Sequence, residues 1–132
     1  PACLGLQGNW HGLAHGAGKG DGAEKLGRFD QLLAQQLSRF LQRLNETPEQ
    51  SGSMLDNTLV FYGSSNSKTH NNTNYPLILA GGKSMGFKHN QFLRPGANVP
   101  LSNVFVTMLE AMGIPHEGFA DSTGELADLR RS

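Results

Sequence analysis

Five histidines and one cysteine are the side chains of this 132-residue sequence best suited to metal or nucleophile chemistry. His11 and His15 stand four apart. That spacing brings two imidazoles to one side of a helical turn, and in a loop it still lets both reach one ion. By itself the pair is weak evidence, because histidines in a glycine-rich loop are more often solvated. His70 lies in the polar run Ser64–Asn74, beside Asn71, Asn72 and Asn74. Their amide oxygens can orient an imidazole or bind a ligand, and the alternative is a surface histidine in a polar turn. His89 and His116 read as solvated. Cys3 is the single cysteine, which excludes an internal disulfide and a cysteine-built zinc site. Near a terminus it reads as a small apolar residue and not a nucleophile.

Two further patterns fail on inspection. Gly81-Gly82-Lys83-Ser84 follows an apolar run as a phosphate loop would, but Leu77 stands where the first glycine is required, and no helix is signalled after Ser84. Gly63-Ser64-Ser65 lacks the last glycine of a nucleophile elbow, so Ser64 is a weak candidate. Asn45-Glu46-Thr47 and Asn71-Asn72-Thr73 fit the glycosylation pattern, which matters only in a eukaryotic secretory setting.

The elements that position the histidines can be read from spacing. Two short apolar runs, Leu59–Tyr62 and Leu77–Ala80, flank the His70 loop. Neither alternates with polar residues, and both are bounded by Gly, Asn or Pro, which predicts neighbouring strands covered on both faces, as in an α/β sheet. In open α/β sheets ligands gather outside the carboxyl ends of the strands, where this loop would leave.

Gly5 to Gly22 holds seven of the seventeen glycines and reads as a loop. Asp21 and Glu24 then form a capping-box pattern. The apolar residues that follow, Leu26, Phe29, Leu33, Leu37, Phe40, Leu41 and Leu44, recur at steps of three and four. They predict a helix ending near Asn45, with Pro48 barring extension and its leucine face laid against the sheet. Glu46–Met54 reads as a polar connection and Lys83–Val99 as irregular chain with a short strand near Phe92. A second helix is expected from Ser102, stopped by Gly113 and Pro115, before a tail that turns at Asp121-Ser122-Thr123-Gly124 and ends in a short helix.

Composition bounds the function. At this length one domain is expected. Eleven basic and eleven acidic residues cancel, so no global charge draws the chain to nucleic acid or to an anionic membrane. No apolar run approaches a membrane span. Ala2–Leu6 reads as the end of a buried strand, and the sequence does not begin with Met, so a piece of a longer protein with the rest of its domain upstream is expected. The compartment stays open.

A series of motifs carries a family resemblance. His11-Gly-Leu-Ala-His15-Gly16, the leucine-rich helix, Met54-Leu55-Asp56-Asn57-Thr58, Tyr62-Gly63-Ser64, His70 ahead of Asn74-Tyr75-Pro76-Leu77, Leu79-Ala80-Gly81-Gly82, Pro100-Leu101-Ser102-Asn103 and Phe119-Ala120-Asp121-Ser122-Thr123-Gly124 follow one another in one family's order. The chain resembles the C-terminal part of the bacterial family named for its His-x-x-Ser-His-His motif, domain of unknown function 1552. That family is similar to the alkaline phosphatase and sulfatase superfamily.

The resemblance implies the C-terminal portion of an alkaline-phosphatase-like α/β sheet with flanking helices. It also implies a divalent ion such as zinc or manganese at His11, His15 and His70, and a phosphate- or sulfate-ester substrate. Asn71, Asn72 or Asp21 would then fix the imidazole tautomers. Ala14 stands where the motif has Ser, and Gly16 where it has its last His. The strand that carries the nucleophile in that superfamily would lie upstream of Pro1. These departures give a second expectation, a non-catalytic binding or cell-envelope module that has kept the fold with a degenerate metal site.

Overall fold

The structure, a computed structural model, describes residues 2–67, 70–74 and 76–130. Tyr75, one of the motif residues, lies outside them. The described residues combine helices with two small antiparallel sheets, a broadly α/β composition. The chain forms two compact units, Pro1–Leu44 with Ser64–Pro76, and Asn45–Gly63 with Leu77–Ser132.

The first unit begins with a 3-10 turn, Ala2–Leu4, in place of the expected strand end. Cys3 is exposed, unlike a packed apolar residue, whereas Leu6 is buried. The glycine-rich stretch expected to be a loop contains a seven-residue helix, α1 (Trp10–Gly16). Asn9 starts it. Its backbone is extended, and its Oδ1 accepts the N–H of Gly12 at 2.8 Å, meeting one of the donors that a first turn leaves open.

A tight turn then leads into α2 (Gly22–Glu46). Gly22 is buried against the end of α1, where a Cβ would collide with the carbonyl oxygen of Gly16. Asp21 stands just before the helix, as the capping pattern requires. Its carboxylate is engaged by Lys25 Nζ at 2.8 Å, which holds the Asp21 pKa below its ordinary value. The leucine face departs from expectation. Gly22 is the one buried residue of α2, and Leu33 and Phe40 are 37 % and 50 % exposed.

The second unit opens with a short hairpin, β1 (Pro48–Glu49) with β2 (Gly52–Ser53), inside the stretch expected to be a polar connection. Asp56 locks its end. Asp56 Oδ2 accepts from Ser53 N at 2.9 Å and from Ser53 Oγ at 3.1 Å, while Asp56 N donates back to Ser53 Oγ at 3.2 Å. The predicted strands follow as β3 (Leu59–Gly63) and β4 (Leu77–Gly81), paired in antiparallel register with Leu59 opposite Gly81 and Gly63 opposite Leu77.

They are neighbours, as expected, but not covered on both faces. Leu59–Tyr62 are half-buried, and Leu77 and Ile78 are exposed. A two-stranded sheet has too little surface to be sandwiched as a wide α/β sheet is. The His70 loop is therefore the connection of a hairpin, not a carboxyl edge of a parallel sheet. Gly81 and Gly82 both have positive φ, and a Cβ would strike Thr58 O at the first and Leu59 Cδ2 at the second. Their role is close backbone packing, and only a short 3-10 turn, Lys83–Met85, follows them.

The last helix is α3 (Ser102–Ala111), and Gly113, at φ +66°, ends it as predicted. Its N–H bonds Glu110 O, and that of Ile114 bonds Leu109 O. Its buried residues include Ser102, Asn103 and Thr107 beside Val106. The tail explains these polar burials. Asn103 exchanges two bonds with Thr123, Nδ2 to Oγ1 at 3.0 Å and Oδ1 from the Thr123 N–H at 2.8 Å. Thr107 Oγ1 accepts the Leu126 N–H at 2.8 Å, and Ser102 Oγ donates to Asp121 Oδ1 at 2.7 Å. Phe105 packs edge-on against both Phe61 and Phe119, and Phe87 is fully buried. Phe92, expected near a strand, is 82 % exposed in irregular chain. The tail ends in a 3-10 turn, Ala127–Leu129.

Candidate metal centre

Three histidines converge within the first unit. His11 and His15 project from one side of α1, one turn apart, and their Nε2 atoms are 3.1 Å from each other. His70 meets them from the loop between β3 and β4, its Nε2 also 3.1 Å from that of His15. The three ring centroids are 4.6, 5.0 and 5.3 Å apart. All three side chains are exposed, and their ligand atoms lie within 4.8 Å of one another. Among the described residues, this is the one trio of histidine, cysteine or carboxylate side chains so arranged.

The backbone at each ligand has a local cause. Asn9 caps the turn that carries His11, and the α1–α2 packing at Gly22 seats the turn that carries His15. His70 has φ +61°, in the left-handed region that side chains with a Cβ rarely adopt. Around it the loop is held by its own polar groups. The Ser67 N–H bonds Asn71 O at 2.7 Å, and Asn71 Oδ1 accepts from the Thr73 N–H at 3.1 Å and from Thr73 Oγ1 at 2.8 Å. The oxygens of Asn71 and Asp21, expected to orient the imidazoles, are thus engaged by Thr73 and Lys25.

Hydrogen bonding alone does not satisfy the arrangement. A ring nitrogen carries one proton or one lone pair, so Nε2 of His15 makes one good hydrogen bond and leaves its second 3.1 Å contact uncompensated. A cation suits the same geometry. Tetrahedral zinc with bonds of about 2.0–2.1 Å holds its nitrogens about 3.3 Å apart, close to the observed separations. Neutral imidazoles without a carboxylate favour zinc and its neighbours over magnesium, calcium or manganese.

The other candidates go elsewhere. His89 is exposed, as expected. His116, expected to be solvated, is mostly buried. Its Nδ1 accepts the Gly118 N–H at 3.1 Å, and its Nε2 lies 3.0 Å from Glu110 Oε1 without hydrogen-bond geometry, so that contact is ionic when the ring is protonated. It lines an open cleft of about 450 Å³ with Glu110, Glu117, Thr123 and Glu125. Ser64 Oγ donates to Asn66 O at 2.7 Å, a turn bond and not a bond to a catalytic base. The surrounding glycines mask the short helix in the sequence, although Asn9 ahead of Trp10 is a legitimate start signal.

Comparison with protein-family models, with curated proteins and with solved structures returned no match. Among the described residues, no helix is long and apolar enough to cross a membrane.

Proposed function

We propose that His11, His15 and His70 hold one divalent transition ion, zinc before manganese, in a protein that hydrolyses phosphate or sulfate esters. The observation that carries the metal reading is the approach of two Nε2 atoms to 3.1 Å from the third. The family resemblance supports the ester chemistry. A bound ion would supply a Lewis acid for charge developing on the transferred group. The three ligands found among the described residues would leave a position open to an exogenous oxygen, the pattern of catalytic rather than structural zinc.

Ala14 and Gly16, standing where the motif has Ser and His, favour a second reading, a non-catalytic binding or cell-envelope module that keeps the fold with a degenerate metal site. One preparation distinguishes the readings. The chain, purified without chelators, should contain one equivalent of metal that His70→Ala and His15→Ala both lose. Phosphate- and sulfate-ester hydrolysis by the metal-loaded full-length protein then decides between enzyme and module. A wild-type chain that takes up neither zinc nor manganese refutes the metal reading and favours the module.

A further inference from the structure

We infer that α2 is the interface of an antiparallel homodimer, two copies of the helix meeting along the stripe Leu26, Phe29, Leu33, Leu37, Phe40 and Leu44. A helix of 25 residues with one buried residue has little tertiary packing, and most helical stability in water comes from packing an apolar face. Leu33 and Phe40 are exposed, and the other four stripe residues are half-buried. From Leu26 to Leu44 is five turns at 3.6 residues, so the stripe runs straight along the axis for about 27 Å.

The occupant follows from the order of the stripe, which reads nearly the same in both directions. Leu26 and Leu44, Phe29 and Phe40, and Leu33 and Leu37 are each centred on residue 35 or half a residue from it. A two-fold interface requires that if residue i touches j of the partner, j touches i, and an antiparallel pair centred on residue 35 sets Leu26 against Leu44, Phe29 against Leu41 and Leu33 against Leu37. The central leucines meet at the middle of the contact, and each Phe29 lies one residue along from the partner's Phe40.

Charge does not oppose this register. Lys25, Arg28 and Arg39 come opposite Asn45, Gln42 and Gln31, so no like charges meet along the contact. Glu24 and Glu46, which are paired by the register, lie on the far side of the helix. Antiparallel alignment also sets the two helix dipoles head to tail.

Sedimentation of the unaltered chain across micromolar concentrations should give a mass rising to twice that of the monomer. In a Cys3→Ala background, Leu26→Cys mixed with Leu44→Cys should cross-link through a short bis-maleimide. Leu26→Cys alone should not, because its two copies would lie about 27 Å apart along the axis. Far-UV circular dichroism checks that both variants keep the helix. A monomer at every concentration overturns the proposal. Cross-linking of Leu26→Cys to itself overturns it in favour of a parallel pair, and association without the Leu26–Leu44 cross-link places the contact elsewhere.

Discussion

Nε2 of His15 and Nε2 of His70 lie 3.1 Å apart across 55 residues of sequence. Such a contact joins a helix turn to a loop tip, so an ion bound there must stabilise the folded chain. Adding zinc at about a hundred times its dissociation constant should raise stability by about 2.7 kcal/mol, and a chelator should reverse it. Melting temperature with and without zinc measures this, and His70→Ala should abolish the zinc response. An unchanged wild-type melting temperature would refute the centre.

Trp10 provides a second, independent readout. It is the single tryptophan, 59 % exposed, with its ring edge-on to His11 at 5.7 Å. Copper or cobalt at the three histidines should quench its fluorescence with a saturable, one-site profile. His15→Ala should weaken that quenching although it leaves the Trp10–His11 pair in place.

Asn103 is 4 % exposed and makes two hydrogen bonds to Thr123. Asn103→Ala leaves the Thr123 N–H without its acceptor, and the loss should be about 1–3 kcal/mol by urea denaturation. Thr123→Ala keeps that N–H bond and should cost less.

Gly81→Ala should destabilise by well over 1 kcal/mol, because a Cβ there meets backbone oxygen at positive φ, which no side-chain rearrangement relieves. Gly96→Ala has nothing within 4 Å to meet and should stay within about 0.5 kcal/mol. Equal costs at the two positions would refute the account of the turn after β4.

The Asp56 carboxylate titrates below its ordinary value of 3.8, first because the Ser53 N–H bonds it, then because the Ser53 hydroxyl does, with a smaller contribution from Lys83. A pKa depressed in the folded state adds stability that is present above pH 3.8 and is lost as pH falls through the folded value. Asp56→Asn should flatten the acid limb of a stability-against-pH curve while changing its slope little near neutrality.

The long helix was legible because a cap, a steady apolar period and a following proline all agreed, and α3 because Gly113 and Pro115 mark its stop. The strand positions were legible as short apolar runs, but their covering was not. Absence of alternation in Leu59–Tyr62 implies burial on two faces, whereas a two-stranded hairpin leaves Leu77 and Ile78 open. Helix α1 was hidden by composition, its few turns being too short for a period and its glycines pointing to a loop. The burial of Ser102, Asn103 and Thr107 was invisible because their partners lie 19 and 20 residues away in the tail. The i,i+4 histidine pair could be seen in the sequence. Its meeting with His70 rests on a long-range contact that no local pattern encodes.

The latch between α3 and the tail has a calorimetric consequence. Exposing apolar surface raises the heat capacity of a chain, and exposing polar surface lowers it. The contacts of Asn103, Thr107 and Ser102 with residues 121–126 are mainly polar, so local release of this segment should add less heat capacity per residue than opening the packing around Phe87. Its equilibrium should therefore follow a nearly straight van't Hoff line, loosening on warming without the weakening on cooling that apolar cores show.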